Sequence, residues 1–117
     1  MRRMTLFVLT LTGLLVAQSV FAETRKFTFY AFEINGVKVW HPSSIHVNKG
    51  DTVEITAISK VPGPNSVHGF TIPAFKVVEV ADTKGKTIKF VADKEGIHPI
   101  QCHLHPAHLG SQLVVHD

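Results

Sequence analysis

With 117 residues, the chain has room for one domain behind a short leader, and its balance of 44% hydrophobic to 18% charged residues excludes a disordered or low-complexity protein. The formal net charge is +3, falling to +1 once Arg2 and Arg3 at the extreme N-terminus are set aside. Nothing in that balance, and no basic run, points to nucleic acid.

The chain begins Met1-Arg-Arg-Met, continues with a mostly apolar run from Leu6 to Val16, and reaches Gln18-Ser-Val-Phe-Ala22 before Glu23. A basic start, an apolar middle and small residues at Val20 and Ala22 have the layout of a secretory signal peptide cleaved after Ala22. The competing reading is a membrane anchor. Thr10, Thr12 and Gln18 interrupt the run, which falls short of the ~20 apolar residues a spanning helix needs. The expectation is a signal peptide over 1–22 and a periplasmic domain over 23–117, with no membrane anchor after cleavage.

Within that domain, residues 24–32 alternate in part and are rich in aromatics, which predicts a strand. Asn35-Gly36 is a turn signal leading into a short strand over 37–40. Residues 44–51 give a strand end and a Gly-containing turn. From Asp51 to Ile58, Val53, Ile55 and Ala57 fall on one face and Thr52, Glu54 and Thr56 on the other. Pro62, Gly63, Pro64 and Asn65 mark 59–67 as a loop. A β-branched strand at 68–73 follows, and 74–80 reads either as a strand or as a helical turn. Turns at 82–86 and 93–96 bracket a strand over 87–92, and further strands cover 97–102 and 112–116. Seven to eight short strands, Gly-rich turns and no long 3.6-period segment predict an all-β fold, a Greek-key β-sandwich or barrel.

Chemistry concentrates in His98-Pro-Ile-Gln-Cys-His-Leu-His-Pro-Ala-His-Leu-Gly110, which holds the single cysteine and four of the eight histidines. An exported chain with one cysteine forms no internal disulfide, so its thiol needs another explanation. A buried, inert cysteine is the bland one. With imidazoles this close, ligation of a borderline-soft metal such as copper or zinc is the better one. Cys102, His105 and His108 are spaced Cys-x2-His-x2-His, and His68 opens a strand 34 residues before Cys102. Loops at one end of a sandwich cluster in space, so His68 can meet the 102–108 loop. A thiolate, two imidazoles and a weaker fourth ligand is the donor set of mononuclear copper electron-transfer centres.

Over about residues 40–116 the sequence resembles the cupredoxins. The resemblance rests on Pro42 with Lys49-Gly-Asp51, on His68-Gly-Phe, on Phe90-x-Ala-Asp-x-x-Gly96 and on Cys102-x2-His105. The loop Cys102-His-Leu-His-Pro-Ala-His108 looks like the short ligand loop of amicyanins, and residues 87–106 are similar to nitrosocyanins, which are red copper proteins. The resemblance implies a cupredoxin-like fold and one copper ion cycling between Cu(II) and Cu(I). It assigns His68, Cys102 and His105 as equatorial ligands and His108 as the axial or fourth one. The chain departs from the family pattern in having no methionine after Met4, so a thioether ligand is impossible in the mature domain. Histidine in that place implies a low-potential centre, green to red in colour. A binuclear oxidase-type copper site needs a second cysteine at position 106, which is Pro106.

The remaining histidines read as structural or superficial: His98 a core residue, His103 exposed, and His41, His46 and His116 on the surface. The leading functional expectation is an electron carrier whose redox partner docks near His105, Pro106, Ala107 and Leu109. The alternatives are a copper chaperone or buffer, or a small nitrosocyanin-like copper enzyme with an open site. No Ser-His-Asp order, phosphate loop or paired-carboxylate motif offers another chemistry.

Overall fold

The computed structural model describes residues 21–64 and 66–117. The expected signal peptide, apart from Phe21 and Ala22, therefore lies outside the described residues. Nine strands follow in chain order among the described residues: β1 (Thr24–Ile34), β2 (Val37–His41), β3 (Ser44–Asn48), β4 (Thr52–Ser59), β5 (His68–Ile72), β6 (Val77–Ala81), β7 (Lys86–Val91), β8 (Gly96–Ile100) and β9 (Ser111–His116). The all-β expectation holds. The segment left open between strand and helical turn contains both, a 3₁₀ turn at Pro73–Phe75 and then β6. Among the described residues, no helix is long and apolar enough to cross a membrane.

One sheet has the order β2-β1-β4-β7, a second β3-β9-β8, and β5 pairs with β6 as a third. The β1–β4 and β3–β9 pairs are parallel and the others antiparallel. Alternation explains how the sheets face the core. Along β4, Val53, Ile55, Ala57 and Ser59 are buried while the residues between them are half-buried. Phe29 and Ala31 of β1, Ile100 of β8 and Leu113 of β9 meet them from the other strands. Residues of β5 are buried on both faces, so this strand runs through the interior rather than over it. Reciprocal backbone hydrogen bonds between Thr71 and Gln101, 2.8 and 2.9 Å, tie β5 to the chain leaving β8.

Two turns set the register. Asn35 and Gly36 both have positive φ, 52° and 81°, and Ile34 pairs directly with Val37. That is a two-residue hairpin, whose twist suits paired strands and whose backbone favours Asn-Gly. At the β3–β4 turn, Asp51 is 1% exposed yet accepts hydrogen bonds from the backbone N–H groups of Glu23 (3.0 Å) and Asn48 (2.8 Å). Arg25 Nε adds a third at 3.1 Å. These donors, led by the Glu23 N–H, hold the Asp51 carboxyl below its usual pKa against the opposing effect of burial. The charge is buried because the chain solvates it.

Candidate metal centre

Three segments build one end of the sandwich: the start of β5, the loop from Gln101 to Gly110, and β2. Hydrogen bonds from Trp40 N–H to Leu109 O (3.0 Å) and from Leu109 N–H to Lys38 O (2.8 Å) clamp the loop to β2. Within the loop, the His108 N–H returns to His105 O at 3.0 Å, closing a turn that brings the two histidines to one side. Gly69 lets the loop approach β5. A Cβ there would lie 2.7 Å from the His103 backbone nitrogen, too close for any side chain.

His68, Cys102 and His108 converge, with one donor atom from each lying within 4.8 Å of the others. All three side chains are buried, His68 at 1% and His108 at 7% exposure. His105 stands at the edge of this group, half-buried. Its Nδ1 lies 3.6 Å from Cys102 Sγ and its ring centroid 5.5 Å from that of His68. The four residues singled out from the sequence thus come together in space, and the distant His68 meets the loop at the shared end of the sandwich. His108 is a buried member of the cluster rather than a solvent-facing loop residue.

Hydrogen bonding fixes which nitrogens face inward. His108 Nδ1 lies 3.0 Å from Leu109 O, so it carries the proton and leaves Nε2 with a lone pair. His68 Nε2 faces Ser66 Oγ at 3.4 Å, which leaves Nδ1 free, and Ser66 Oγ is in turn 2.5 Å from Ser59 Oγ. Nδ1 of His68 and Nε2 of His108 are buried and have no hydrogen-bond partner among the described residues. Orphaned polar atoms inside a protein are rare and costly, and a metal ion is one of the few things that resolves them. The Cys102 Sγ accepts a hydrogen bond from Gly69 N–H at 3.1 Å, an interaction that stabilises a thiolate. These residues fit one metal ion of the borderline-soft class.

Electrostatics agree. Burial, then the neighbouring His108 and His105 and the Lys38 charge, push the His68 pKa down to about 4. Burial also lowers that of His108, against the opposing hydrogen bond to Leu109. Both imidazoles are therefore neutral near pH 7, the state a metal requires.

Trp40 went unrecognised in the sequence. Its indole Nε1–H donates to Gly69 O at 3.0 Å, and its ring lies 5.5 Å from that of His108, 6.1 Å from His68 and 5.2 Å from Phe70. It holds Gly69, the residue that follows His68 and whose own N–H faces Cys102 Sγ. Its being the only tryptophan, in a short strand beside His41, was the one available signal. The expectation for His98 is corrected: it is half-exposed, with Nε2 2.9 Å from Lys94 O and its ring edge-on to Phe75 at 5.0 Å. Its ring packs on Phe75 of the 3₁₀ turn, a partly buried residue at the margin of the core. His41, His46, His103 and His116 are exposed as expected.

A β-sandwich of this topology, with a buried Cys/His donor cluster at one end of it, is the cupredoxin fold. No family model and no curated protein matches the chain. Solved structures do. The copper nitrite reductase of Nitrosomonas europaea aligns with a TM-score of 0.66 at 20% identity, covering 80% of this chain and 41% of its own, so this chain spans less than half of that enzyme. The metal-binding domain of the Cu(I)-exporting P-type ATPase CopA of Streptococcus pneumoniae D39, with Cu(I), aligns at 0.65 and 18% identity, covering 82% and 95% of the two chains. A purple cupredoxin from Nitrosopumilus maritimus aligns at 0.52 and 18%, covering 75% and 97%. An enzyme, an exporter domain and a purple cupredoxin share this fold, so function has to be argued from the site.

Proposed function

We propose that this chain is a periplasmic mononuclear copper protein that carries electrons, with His68, Cys102, His105 and His108 as its ligands. The observation that carries the reading is the pair of orphaned, buried imidazole nitrogens flanking Cys102 Sγ. Copper held there would supply one-electron Cu(II)/Cu(I) chemistry. His108 stands where a thioether is absent, and a third imidazole favours the oxidised ion, so the centre has a low potential and a green-to-red colour. Leu109 O accepts from both the Trp40 backbone N–H and, through Nδ1, the His108 ring, which holds that ring in place whichever oxidation state it serves.

The half-buried His105 gives the shortest route to the surface. Around it lies a cleft of about 280 Å³ lined by Val37, Lys38, Pro106 and Ala107, and Ile34, Leu104 and Leu109 are exposed large apolar residues. Such a patch suits the brief docking of a redox partner. Export by the N-terminal 22 residues is part of the same proposal, because a free thiol outside the cytoplasm is protected when it is a ligand.

The test is the absorption and EPR spectra of the copper-loaded protein beside those of His108→Met. The native chain should show thiolate charge transfer split towards shorter wavelength, and His108→Met should move it towards an intense blue form. Identical spectra would remove His108 from the site. Copper handling is a second reading, supported by the likeness to the CopA metal-binding domain. Stoichiometric copper transfer to an acceptor, without fast electron exchange, would favour it. The buried Nε2 of His108 weighs against an enzyme with an open coordination position.

A further inference from the structure

At the other end of the β3-β9-β8 sheet, two further histidines meet. The parallel strands β3 and β9 place His46 opposite Val114 and Asn48 opposite His116, so the two histidines occupy diagonal positions on one face. Both side chains are exposed, and His46 Nδ1 lies 2.8 Å from His116 Nε2, with the ring planes within 15° of each other. One nitrogen carries a proton and the other a lone pair. A hydrogen bond between exposed imidazoles contributes little, because water would serve either ring as well. Their backbones are firmly held, since the flanking Ile45, Val47 and Val115 belong to the buried core.

We propose that His46 and His116 form a second metal site, a surface bis-imidazole chelate for a borderline divalent ion, zinc(II) or copper(II). Two nitrogens each about 2.0 Å from one ion are about 2.8 Å apart at the right angle of a tetragonal copper(II) site, and about 3.3 Å apart at the tetrahedral angle of zinc(II), which a small opening of the pair reaches. The observed spacing therefore already suits chelation. For both lone pairs to aim at one ion, the exposed rings must turn and the ring that carries the shared proton must bear it on its other nitrogen instead, so that both imidazoles stay neutral. Imidazole suits both metals, and water completes the coordination. His116 ends β9 whereas the ligand loop enters at Ser111, the first residue of that strand. About 16 Å of strand, at ~3.3 Å per residue, thus separates the two places, and they share no ligand. This site needs neither Cys102 nor the electron-transfer reading.

Calorimetric titration of the whole exported domain with zinc(II) tests it, using wild type, His46→Gln, His116→Gln and Cys102→Ser. Wild type and Cys102→Ser should both show a binding class that is weakened at least tenfold in His46→Gln and in His116→Gln. A second equivalent of copper(II), added to Cys102→Ser once the His68, His105 and His108 cluster has taken the first, should broaden the amide NMR signals of residues 44–48 and 112–116, and adding His46→Gln should abolish that further broadening. A binding class or a broadening pattern unchanged by both glutamine substitutions would overturn the proposal, as would wild type lacking that class. Because both positions are exposed, the glutamine variants should melt with the wild type, and agreement between the two guards against a local folding defect.

Discussion

Asp51 and His68 are each 1% exposed, and they are buried in opposite ways. Asp51 is enclosed by donors from Glu23 and Arg25 at the start of β1 and from Asn48 at the end of β3, so its charge is solvated by the chain itself. His68, with His108, is enclosed by aromatic rings and a thiol, and a ring nitrogen of each is left without a partner. The difference separates a polar group that serves the fold from polar groups that await a ligand. Buried polarity alone marks neither role; satisfaction of its hydrogen bonds does.

That contrast can be broken most forcefully by filling one side of it. Metal at about 1,000 times its dissociation constant should stabilise the fold by about 4 kcal/mol, and a chelator should remove this, as calorimetric melting would show. A melt indifferent to metal would end the idea that the orphaned nitrogens await an ion.

Asp51→Ala should come next, costing about 3 kcal/mol in denaturant unfolding, because it strands two backbone donors and Arg25. Metal affinity measured on the folded variant should not change. His68→Leu should do the reverse, leaving the metal-free fold equal or slightly more stable while abolishing the thiolate–metal absorption.

Acid should separate the two groups in the metal-free protein. His68 stays neutral when folded, with a pKa near 4, but takes up a proton near 6.5 when unfolded. The unfolded state therefore binds more protons between those values, and stability falls as pH drops from about 6.5 to about 4. Below that, the His68 effect levels off. Asp51 acts later: its stabilisation is complete above 3.8 and is lost as pH falls through its depressed folded value. Equilibrium unfolding across this range should show two successive losses, the first reduced to the share of His108, whose pKa burial also lowers, in His68→Leu, and the second absent in Asp51→Ala.

The smallest effect is expected from Trp40→Phe. It keeps an aromatic ring against His108 but leaves Gly69 O without its donor, at a cost of about 1–2 kcal/mol. The charge-transfer spectrum should shift as well, because Gly69 carries the N–H that faces Cys102 Sγ. An unchanged spectrum would reduce Trp40 to a packing residue.

Much of this was legible in the sequence, for reasons of chain proximity. Alternation in 52–59 sets the buried face of β4, since side chains change side at every residue. Asn35-Gly36 specifies its turn because the backbone there needs two positive φ angles. Cys102, His105 and His108 are near one another in space because a short loop allows nothing else. His68 was legible too, as the partner that loops at one sandwich end bring to the cluster. Only the tertiary structure decided that the His108 ring turns Nε2 inward under the pull of Leu109 O and that His98 packs on Phe75 at the margin of the core. It alone placed Trp40 against the two buried histidines, across 28 residues from His68 and 68 from His108. Local pattern fixes where a side chain can point, whereas what it meets there depends on segments brought from far along the chain.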